Sequence, residues 1–442
     1  MDTPYLFFVC SAPSSRDHHL AQRHLPLLRF DLHEPFLPLV VGYTVFHESA
    51  PSPSFPRRIV FTSETYRVIE YAIWWDWDIQ HLYELEHLWV WLDRNEKVIR
   101  FEGSWHGDFH VLGDSCLTTA DGRLVAYSEP GKHAFAQSPQ PLLARASVTR
   151  TACTAAAGRG GVLITPLFEG IIRARNAFNN RLVHTFCEDQ RFEPSYDFSK
   201  VVDLRYLPLV SWYELKNWIP QRVETVLAEL RSRYPIADQR MFRIVDLRGQ
   251  FGSLSEFAAC VKEASADGIK ITMVPDGELG FAIPGTHGKL SPEEVFHPLM
   301  EAQMNIYLQL EPFPKETLTR LLDVVRELGV LGHLIFGSRS VDCVQQIKHH
   351  APNAMTALEV HEIFSQQALR QSQPADYVCG TTGKSITREW VERFHAVGIG
   401  LIAETYHGSL QAAGVDGVCN LSELGERAHH VQDTVWQNVY QY

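Results

Sequence analysis

The spacing of apolar residues changes character about halfway along the chain. From Arg57 to Ala136, aromatic and β-branched residues form strand-like runs that are separated by residues with turn propensity. The separating positions are Asp93-Arg94-Asn95, Gly103, Gly107, Asp121-Gly122 and Pro130-Gly131. Breaks of this kind between apolar runs are typical of β-hairpins. The pattern therefore predicts an antiparallel β-sandwich in the first half, over residues 20–235.

Two stretches of different character follow. Residues 138–161 are rich in Ala, Ser, Thr and Gly and show no clear period, which indicates a long loop. From Trp212 to Arg233 the apolar residues recur at helical spacing, which predicts an amphipathic helix. Pro235 comes shortly after this helix and marks the predicted domain boundary.

Beyond this boundary, short apolar runs alternate with helical segments. That alternation is the pattern of a parallel sheet with crossover helices. The strand candidates are Arg243–Asp246, Gly268–Val274, Asn305–Leu310, Gly332–Phe336, Ala354–Leu358, Tyr377–Gly380, Gly398–Ala403 and Gly417–Cys419. Their number fits a TIM-type (β/α)8 barrel over residues 240–435, in which ligands bind where the strands end. The predicted fold class is thus an all-β domain followed by an α/β barrel.

Composition narrows the class of protein. The 442 residues are 45% hydrophobic and 21% charged, which suits two folded domains rather than one. The net charge is −12 and the basic residues are scattered, so we expect no nucleic-acid partner. We see no secretion signal and no apolar run of the ~20 residues that a transmembrane segment needs. The eight cysteines form no CxxC pair, which favours buried thiols and a cytoplasmic location.

The densest candidate chemistry lies in the first half. Carboxylates and histidines crowd the run Asp76-Trp-Asp-Ile-Gln-His-Leu-Tyr-Glu-Leu-Glu-His87, and more histidines follow at His106, His110 and His133. On a strand, Glu84 and Glu86 share a face and can hold one ion, while His87 points to the other face. Because His106 and His133 follow turns that contain Gly or Pro, we expect displayed side chains there. The alternative is a structural polar network within a tryptophan-rich sandwich.

This cluster resembles the histidine-containing pattern of the vacuolar protein sorting 62 family. It is also similar to the GHRHDWE heptapeptide of the necrosis-inducing cytolysins, whose β-sandwich holds a divalent cation. By alignment, His81, Glu84, Glu86 and His87 match the first His, the Asp, the Glu and the final His of the sorting family's HxGDWEH motif. His106 and His133 match the two later histidines of that family. The resemblance covers about residues 65–136. Leu85 replaces the central Trp of the cytolysins, which speaks against their membrane-damaging activity.

The second half resembles the glycerophosphodiester phosphodiesterases. The matching segments are Arg243–Gly249 for the first strand, Ser265–Thr272 for the ADGIELD strand, Tyr307–Glu311 for the Glu-x-Lys strand and Gly414–Val418 for the closing GVDGI. The family's acid/base His, its two metal carboxylates and its third-strand Glu fall on Leu247, Lys270, Thr272 and Gln309. A hard divalent cation needs several anionic oxygens, so the resemblance implies a barrel without the family's metal-assisted hydrolysis.

Some polar residues could still serve the barrel mouth. Arg248 is retained, and together with Lys270 and Glu311 it could bind an anionic substrate through charge-assisted hydrogen bonds. The alternative is that Lys270 and Glu311 only pair with each other. A buried lysine can also form a Schiff base, but nothing in the sequence singles out that chemistry.

These observations lead to one functional hypothesis and two alternatives. The leading hypothesis is a metal-dependent hydrolase of a phosphate-containing or lipid-headgroup-like substrate, with a pseudoenzyme barrel. Its predicted metal ligands are His81, Glu84 and Glu86, for Mg, Ca, Mn or Zn, and its predicted proton-transfer groups are His87, His106 and His133. The alternatives are a non-catalytic protein that binds a glycan, lipid headgroup or protein, and a metal-independent lyase or cyclase using the barrel mouth. The oligomeric state stays open.

Overall fold

The computed structural model describes residues 16–113, 117–246, 266–276, 280–282, 292–363, 365–381, 387–404 and 410–420, with single positions between 255 and 261. Its strands are β1 (Leu27–Phe30), β2 (Val40–Phe46), β3 (Ala50–Pro51), β4 (Arg58–Ile59), β5 (Arg67–Trp77), β6 (His81–Leu92), β7 (Val98–Trp105), β8 (Asp108–Leu112), β9 (Leu117–Thr118), β10 (Leu124–Ser128), β11 (Phe135–Ala136), β12 (Gly161–Val162), β13 (Lys200–Asp203), β14 (Leu209–Ser211), β15 (Phe242–Asp246), β16 (Gly268–Asp276), β17 (Gly280–Ala282), β18 (Asn305–Leu310), β19 (Leu334–Ser338), β20 (Met355–Glu362), β21 (Tyr377–Thr381), β22 (Gly400–Ala403) and β23 (Gly417–Asn420). Its α-helices are α1 (Arg16–Arg23), α2 (Pro139–Leu143), α3 (Ala146–Cys153), α4 (Ala177–Asp189), α5 (Trp212–Arg233), α6 (Pro292–Glu301), α7 (Lys315–Glu327), α8 (Val341–His350), α9 (Gln366–Gln371), α10 (Arg388–Ala396) and α11 (Leu410–Ala413).

The chain forms two compact units whose segments alternate along the sequence. The first unit comprises Met1–Gly158, Thr165–Ile172 and Cys187–Glu229. The second comprises Arg159–Ile164, Arg173–Phe186 and Leu230–Tyr442. The second unit therefore takes in two short segments from the first half of the sequence, in addition to the barrel strands. Among the described residues, no helix combines the length and the apolar character needed to cross a membrane.

The first unit is built from two main sheets. The larger follows the order β14-β2-β5-β6-β7-β8, and the smaller follows β11-β10-β1-β13 with β9 beside β10. Most neighbours are antiparallel, but β1 pairs with β10 and β14 pairs with β2 in parallel, so the expectation of a wholly antiparallel domain is wrong there. These partners lie far apart in sequence, where no hairpin constrains strand direction. That the two sheets form a sandwich stays a prediction.

The predicted turns of this unit are largely confirmed. Strand connections occur at Asp93-Arg94-Asn95, Gly107, Asp121-Gly122 and Pro130-Gly131. Gly103 is the exception, because it lies inside β7. A Cβ atom at Gly103 would lie 3.0 Å from the Cβ of Phe135, so the glycine allows a close approach rather than a turn.

The helical content outside the barrel was predicted only in part. Helix α5 has the predicted bounds and buries Leu215, Ile219 and Val223. The stretch 138–161 is not one long loop, because α2 and α3 form within it. Both helices are short, of 5 and 8 residues, so the segment offers too few turns to show a helical period.

The second unit contains the predicted barrel. Its parallel strands follow the order β15-β23-β22-β21-β20-β19-β18-β16, and pairing of β15 with β16 closes the ring. All eight strand predictions are confirmed, with small shifts at the ends. Inward-facing residues of several strands, among them Tyr307, Met355 and Cys379, form one buried cluster that also includes Ala177 at the start of α4. Helix α4 thus contributes to the barrel interior although it precedes β15 by more than fifty residues.

Candidate functional site

The turn between β5 and β6 brings three ligand-type side chains together. The backbone N–H groups of Asp78 and His81 donate to each other's carbonyl groups at 3.0 and 3.3 Å, which closes a tight turn. Glu84 then lies on β6, three residues after His81. One ligand atom from each of Asp78, His81 and Glu84 lies within 4.8 Å of the others. Among the described residues this is the one group of His, Cys, Asp or Glu with such spacing.

The imidazole of His81 is oriented for ligation. Its Nδ1 lies 2.8 Å from the carbonyl oxygen of Tyr83, and because a carbonyl can only accept, Nδ1 carries the proton. Burial lowers the pKa of His81 to about 4, so the ring is neutral near pH 7. The unprotonated Nε2 therefore faces Asp78 Oδ1 at 3.6 Å and Glu84 Oε2 at 3.8 Å. These distances are too long for hydrogen bonds, so the three ligand atoms converge without bonding to one another, an arrangement that a cation would satisfy.

The carboxyl groups of this face influence one another. Burial, followed by the negative charges of Glu86 and Asp78, raises the pKa of Glu84 well above its ordinary value. Burial also raises the pKa of Glu86 to about 7, although the Ser104 hydroxyl donates to it. Glu84 and Glu86 do share a face of β6, as predicted. Glu86, however, accepts a hydrogen bond from Ser104 and is not part of the three-residue group. Asp78 occupies the third ligand position, which was predicted for Glu86.

A lysine lies against the same group. The ammonium of Lys132 is 2.8 Å from both carboxylate oxygens of Asp78, whose Oδ1 also accepts the N–H of Gln80 at 2.7 Å. Burial alone would raise the pKa of Asp78, but the neighbouring His81 and Lys132 outweigh it and lower the pKa. For Lys132, burial opposes the charge, and Asp78 and Glu84 outweigh it and raise the pKa. The ammonium is therefore charged.

His106 forms a histidine–carboxylate pair at the edge of this cluster. Its Nε2 lies 2.7 Å from Glu129 Oε2, and the side chain is 31% exposed. Glu129 is buried, and its Oε1 accepts from the Thr149 hydroxyl at 2.6 Å. Since a carboxylate accepts, His106 donates through Nε2 and leaves Nδ1 unprotonated in its neutral form. The predicted display of His106 is confirmed.

His133 is placed differently from the prediction. Its side chain is fully buried, so the expectation of a displayed group is wrong for this residue. The ring stacks on Trp75 with centroids 4.7 Å apart and planes 9° apart, and Nε2 lies 3.4 Å from Glu34 Oε1. The adjacent turn places Gly131 so that its N–H donates to Glu34 at 2.6 Å. Packing within the sheet, which the local turn signal does not reveal, decides the burial.

His87 lies on the opposite face of β6, as the strand period requires. Its Nε2 is 3.0 Å from the hydroxyl of Ser54, which donates its own proton to Glu70 at 2.6 Å. The ring stacks on Trp89, and burial lowers the pKa of His87 to about 3. This is a closed, buried polar network, and none of its members belongs to the group around Asp78.

The barrel interior contains a different polar cluster. The ammonium of Lys270 lies 3.3 Å from Glu359 Oε1 and 4.0 Å from Glu404 Oε1. Lys270 does form an ion pair, but its partner is Glu359 rather than the predicted Glu311, which follows the end of β18. Burial opposes the charge on Lys270, and Cys379 and Glu359 outweigh it and raise its pKa. A charged amine does not suit Schiff-base formation.

The positions matched to the phosphodiesterase metal site do not fit a divalent cation. Thr272 donates to Gln309 at 3.0 Å, and Gln309 donates to Glu359 at 2.7 Å. The hydroxyl of Tyr307 donates to the same carboxylate at 3.2 Å. With the ammonium of Lys270 added, the Glu359 carboxylate is already surrounded by donors. Leu247 and Arg248 lie outside the described residues, so the predicted role of Arg248 stays a prediction.

Sequence reasoning missed several residues that complete these clusters. Asp78 lies in the run from Asp76 to His87 but was assigned no role, Lys132 was not considered, and Glu129 was not paired with His106. Glu359 directly follows the predicted strand Ala354–Leu358, and a carboxylate at a strand's carboxyl end was the available signal. Asp78 could have been identified as a ligand candidate because it lies three residues before His81, in the turn that leads into β6.

The solved structures that resemble this chain include several glycerophosphodiester phosphodiesterases, each matching about 40% of it. No family model matches the chain, and no curated protein matches it. Solved structures that are similar include the Oleispira antarctica phosphodiesterase in complex with the product sn-glycerol-3-phosphate, at 15% identity over 40% of this chain and 92% of that chain, with a TM-score of 0.33. The glycerophosphodiester phosphodiesterase from Agrobacterium tumefaciens is 11% identical over 41% and 95%, with a TM-score of 0.33.

A further similar structure is an HpcH/HpaI aldolase from Desulfitobacterium hafniense, at 8% identity over 46% of this chain and 94% of that chain, with a TM-score of 0.29. Scores and identities this low carry no inference about chemistry. The barrel is established by its own strand pairing.

Proposed function

We propose that the first unit is a metal-dependent hydrolase in which Asp78, His81 and Glu84 hold one divalent cation. The observation that supports this most strongly is the unprotonated Nε2 of His81, which faces two carboxylate oxygens at 3.6 and 3.8 Å. Mixed carboxylate and imidazole ligands suit Zn best, followed by Mn, and the remaining candidates are Mg and Ca, which prefer oxygen ligands. When bound, such a cation supplies Lewis acidity toward an anionic oxygen of the substrate.

Proton transfer is assigned to residues beside the cation ligands. His106 takes up a proton through Nδ1, because Glu129 holds Nε2 as a donor. Glu86, whose pKa is raised to about 7 by burial, has a proton to give near neutral pH. We leave His87 out of this assignment, since its ring belongs to the network of Ser54 and Glu70. His133 serves as a buried support that stacks on Trp75.

A phosphate-containing or lipid-headgroup-like molecule is the substrate class to test first. Hard cations prefer phosphate and carboxylate oxygens, and the network offers both a Lewis-acid position and an acid/base pair. In this proposal the barrel is a structural or binding partner without metal-assisted hydrolysis, because Lys270 and Gln309 already satisfy Glu359.

A structural cation is the second candidate. The side chains of His81 and Glu84 are only 13% and 15% exposed, which favours an ion enclosed in the fold over an ion open to substrate. If the cation is structural, the function that follows is non-catalytic binding of a glycan, a lipid headgroup or a protein. The two candidates share the cation and differ in turnover.

The test begins with metal content. Elemental analysis after dialysis should find about one divalent cation per chain, and Mg²⁺, Ca²⁺, Mn²⁺ and Zn²⁺ should be compared by thermal shift. Asp78→Asn should weaken cation binding at least about a hundredfold, because it removes an anionic ligand. The matched control is Asp76→Asn, two residues away, where the carboxylate is held by Arg222 at 2.6 Å.

Turnover of phosphodiesters and phosphomonoesters, with and without the cation, then separates the two candidates. A protein that contains no cation and shows no thermal shift with any of the four metals would overturn the proposal. Cation binding without turnover of any phosphate ester would favour the structural ion.

A further inference from the structure

Lys132 is a buried charged group that touches a proposed cation ligand but has no role in the proposed chemistry. Its ammonium contacts both carboxylate oxygens of Asp78 at 2.8 Å, and its side chain is 13% exposed. Asp78 is completely buried, so its negative charge depends on this partner when no other cation is present. The same carboxylate is a ligand in the proposed cation site. A lysine ammonium and a divalent cation therefore compete for one carboxylate.

The backbone that carries Lys132 is held in place. The N–H of Lys132 donates to the carbonyl of Glu129 at 3.2 Å, and Gly131 has a φ of 68°. A Cβ atom at Gly131 would lie 2.8 Å from both Cys153 and Ile79, so the turn is packed tightly against its surroundings. Any movement of the ammonium away from Asp78 must come from its four-carbon side chain, which is flexible.

We propose that Lys132 is a built-in counter-ion of the cation site, which keeps Asp78 neutralised when the site is empty and which a divalent cation must displace. This inference rests on the proposed function, because it concerns the same site. A divalent ion outcompetes the ammonium by its greater charge and by its additional contacts with His81 and Glu84. The counter-ion thus weakens cation binding and makes the site reversible, whereas it stabilises the cation-free protein.

The test compares cation binding in the full-length protein and in Lys132→Met. Removing the ammonium removes the repulsion of a like charge a few ångströms from the cation, so Mn²⁺ should bind at least about tenfold more tightly by isothermal titration calorimetry. In excess chelator, Lys132→Met should melt at a lower temperature than the parent, and Mn²⁺ should restore more of its stability. The matched control is Lys200→Met, since Lys200 bonds to a neutral carbonyl, that of Glu34, at 2.7 Å.

The possible outcomes separate this inference from the proposed function. If the parent binds Mn²⁺ and Lys132→Met binds it equally or more weakly, the counter-ion role is wrong while the cation site stands. If neither protein binds any of the four divalent cations, both proposals fall. Should Lys132→Met not fold without metal, Lys132→Gln, which keeps a hydrogen-bond donor but no charge, provides the same comparison. Tighter Mn²⁺ binding by Lys132→Gln would support the counter-ion role, and unchanged binding would contradict it.

Discussion

Single residues decide which histidines of the first unit can take part in chemistry. His106 is partly exposed and is oriented by a buried glutamate, whereas His87 and His133 are enclosed in aromatic packing. Burial lowers the pKa of His87, so its imidazole stays neutral near pH 7. The three histidines, all predicted from the sequence as proton-transfer groups, therefore divide into one candidate for proton transfer and two that support the sheet.

The enclosed state of His87 predicts a specific pH dependence of stability. Its pKa is about 3 in the folded protein against an ordinary value of 6.5. Between these values the unfolded chain takes up a proton that the folded protein cannot, so acidification destabilises the fold. The contribution of the neutral His87 to the free energy of unfolding is fully present above pH 6.5 and is lost as the pH falls toward 3. Within this range the free energy of unfolding falls by at most about 1.4 kcal/mol per pH unit.

Replacement of His87 by glutamine should remove this component. Urea unfolding of the parent and of His87→Gln at several values between pH 4 and pH 7.5 measures it, because titration of the other groups cancels in the difference. The free energy of unfolding should fall less steeply with acidification in the variant. A difference between the two proteins that does not change with pH would show that His87 titrates normally.

At the scale of elements, Arg181 connects helix α4 to the amino-terminal end of the barrel by hydrogen bonds. The guanidinium of Arg181 donates to Asp416 at 3.0 Å and to the carbonyls of Arg240 and Gly414, which precede β15 and β23. Asp416 also accepts from His395 at 2.7 Å and from the N–H of Leu401 at 2.8 Å. One buried ion pair thus joins a helix from the first half of the sequence to barrel strands near its end.

Loss of this ion pair should be costly. Arg181→Met leaves the buried Asp416 carboxylate without its guanidinium partner, and the free energy of unfolding should fall by about 3–5 kcal/mol. Denaturant unfolding, followed by circular dichroism, measures the change. Arg388→Met is a suitable control, because Arg388 is exposed and pairs with Glu392 within α10, and its loss should cost less than about 0.5 kcal/mol. Similar small losses for both variants would contradict the role given to Arg181.

At the scale of the whole molecule, the barrel unit needs residues that lie far from its strands in sequence. Arg159 donates to the carbonyls of Ala266 and Gln303, and Arg175 donates to that of Gly332. Together with Arg181, they satisfy backbone groups around the barrel that the strands alone would leave unpaired. A boundary drawn at Pro235 removes all three arginines from the barrel.

A dissection experiment tests this dependence. A fragment of residues 230–442 should lack a cooperative unfolding transition, because the interior beside Ala177 is uncovered and Asp416 has lost the guanidinium of Arg181. A second fragment, in which residues 159–186 are joined to residue 230 by a flexible Gly/Ser linker, should recover cooperative unfolding in calorimetry. Cooperative unfolding of the shorter fragment would show that the barrel is complete without α4.

The sequence by itself determined the features that depend on local periodicity. The eight barrel strands, the bounds of α5 and four of the five strand breaks follow from the alternation of apolar and polar residues, which backbone geometry translates directly into helices, strands and turns. It also located the candidate chemistry on β6, since strand alternation assigns Glu84 and Glu86 to one face and His87 to the other.

Only the tertiary structure decided which side chains meet. Pairing of Lys132 with Asp78, of Glu129 with His106 and of Glu359 with Lys270 joins residues 54, 23 and 89 positions apart in the sequence. The tertiary structure also decided that β1 pairs in parallel with β10 and that α4 packs against the barrel interior. Such contacts depend on how sheets and helices pack, and burial in that packing then sets the charge of each group. A local sequence pattern predicts neither these contacts nor the burial of the groups involved. It shows the period of one segment, whereas contacts and burial depend on the neighbours that the segment acquires on folding.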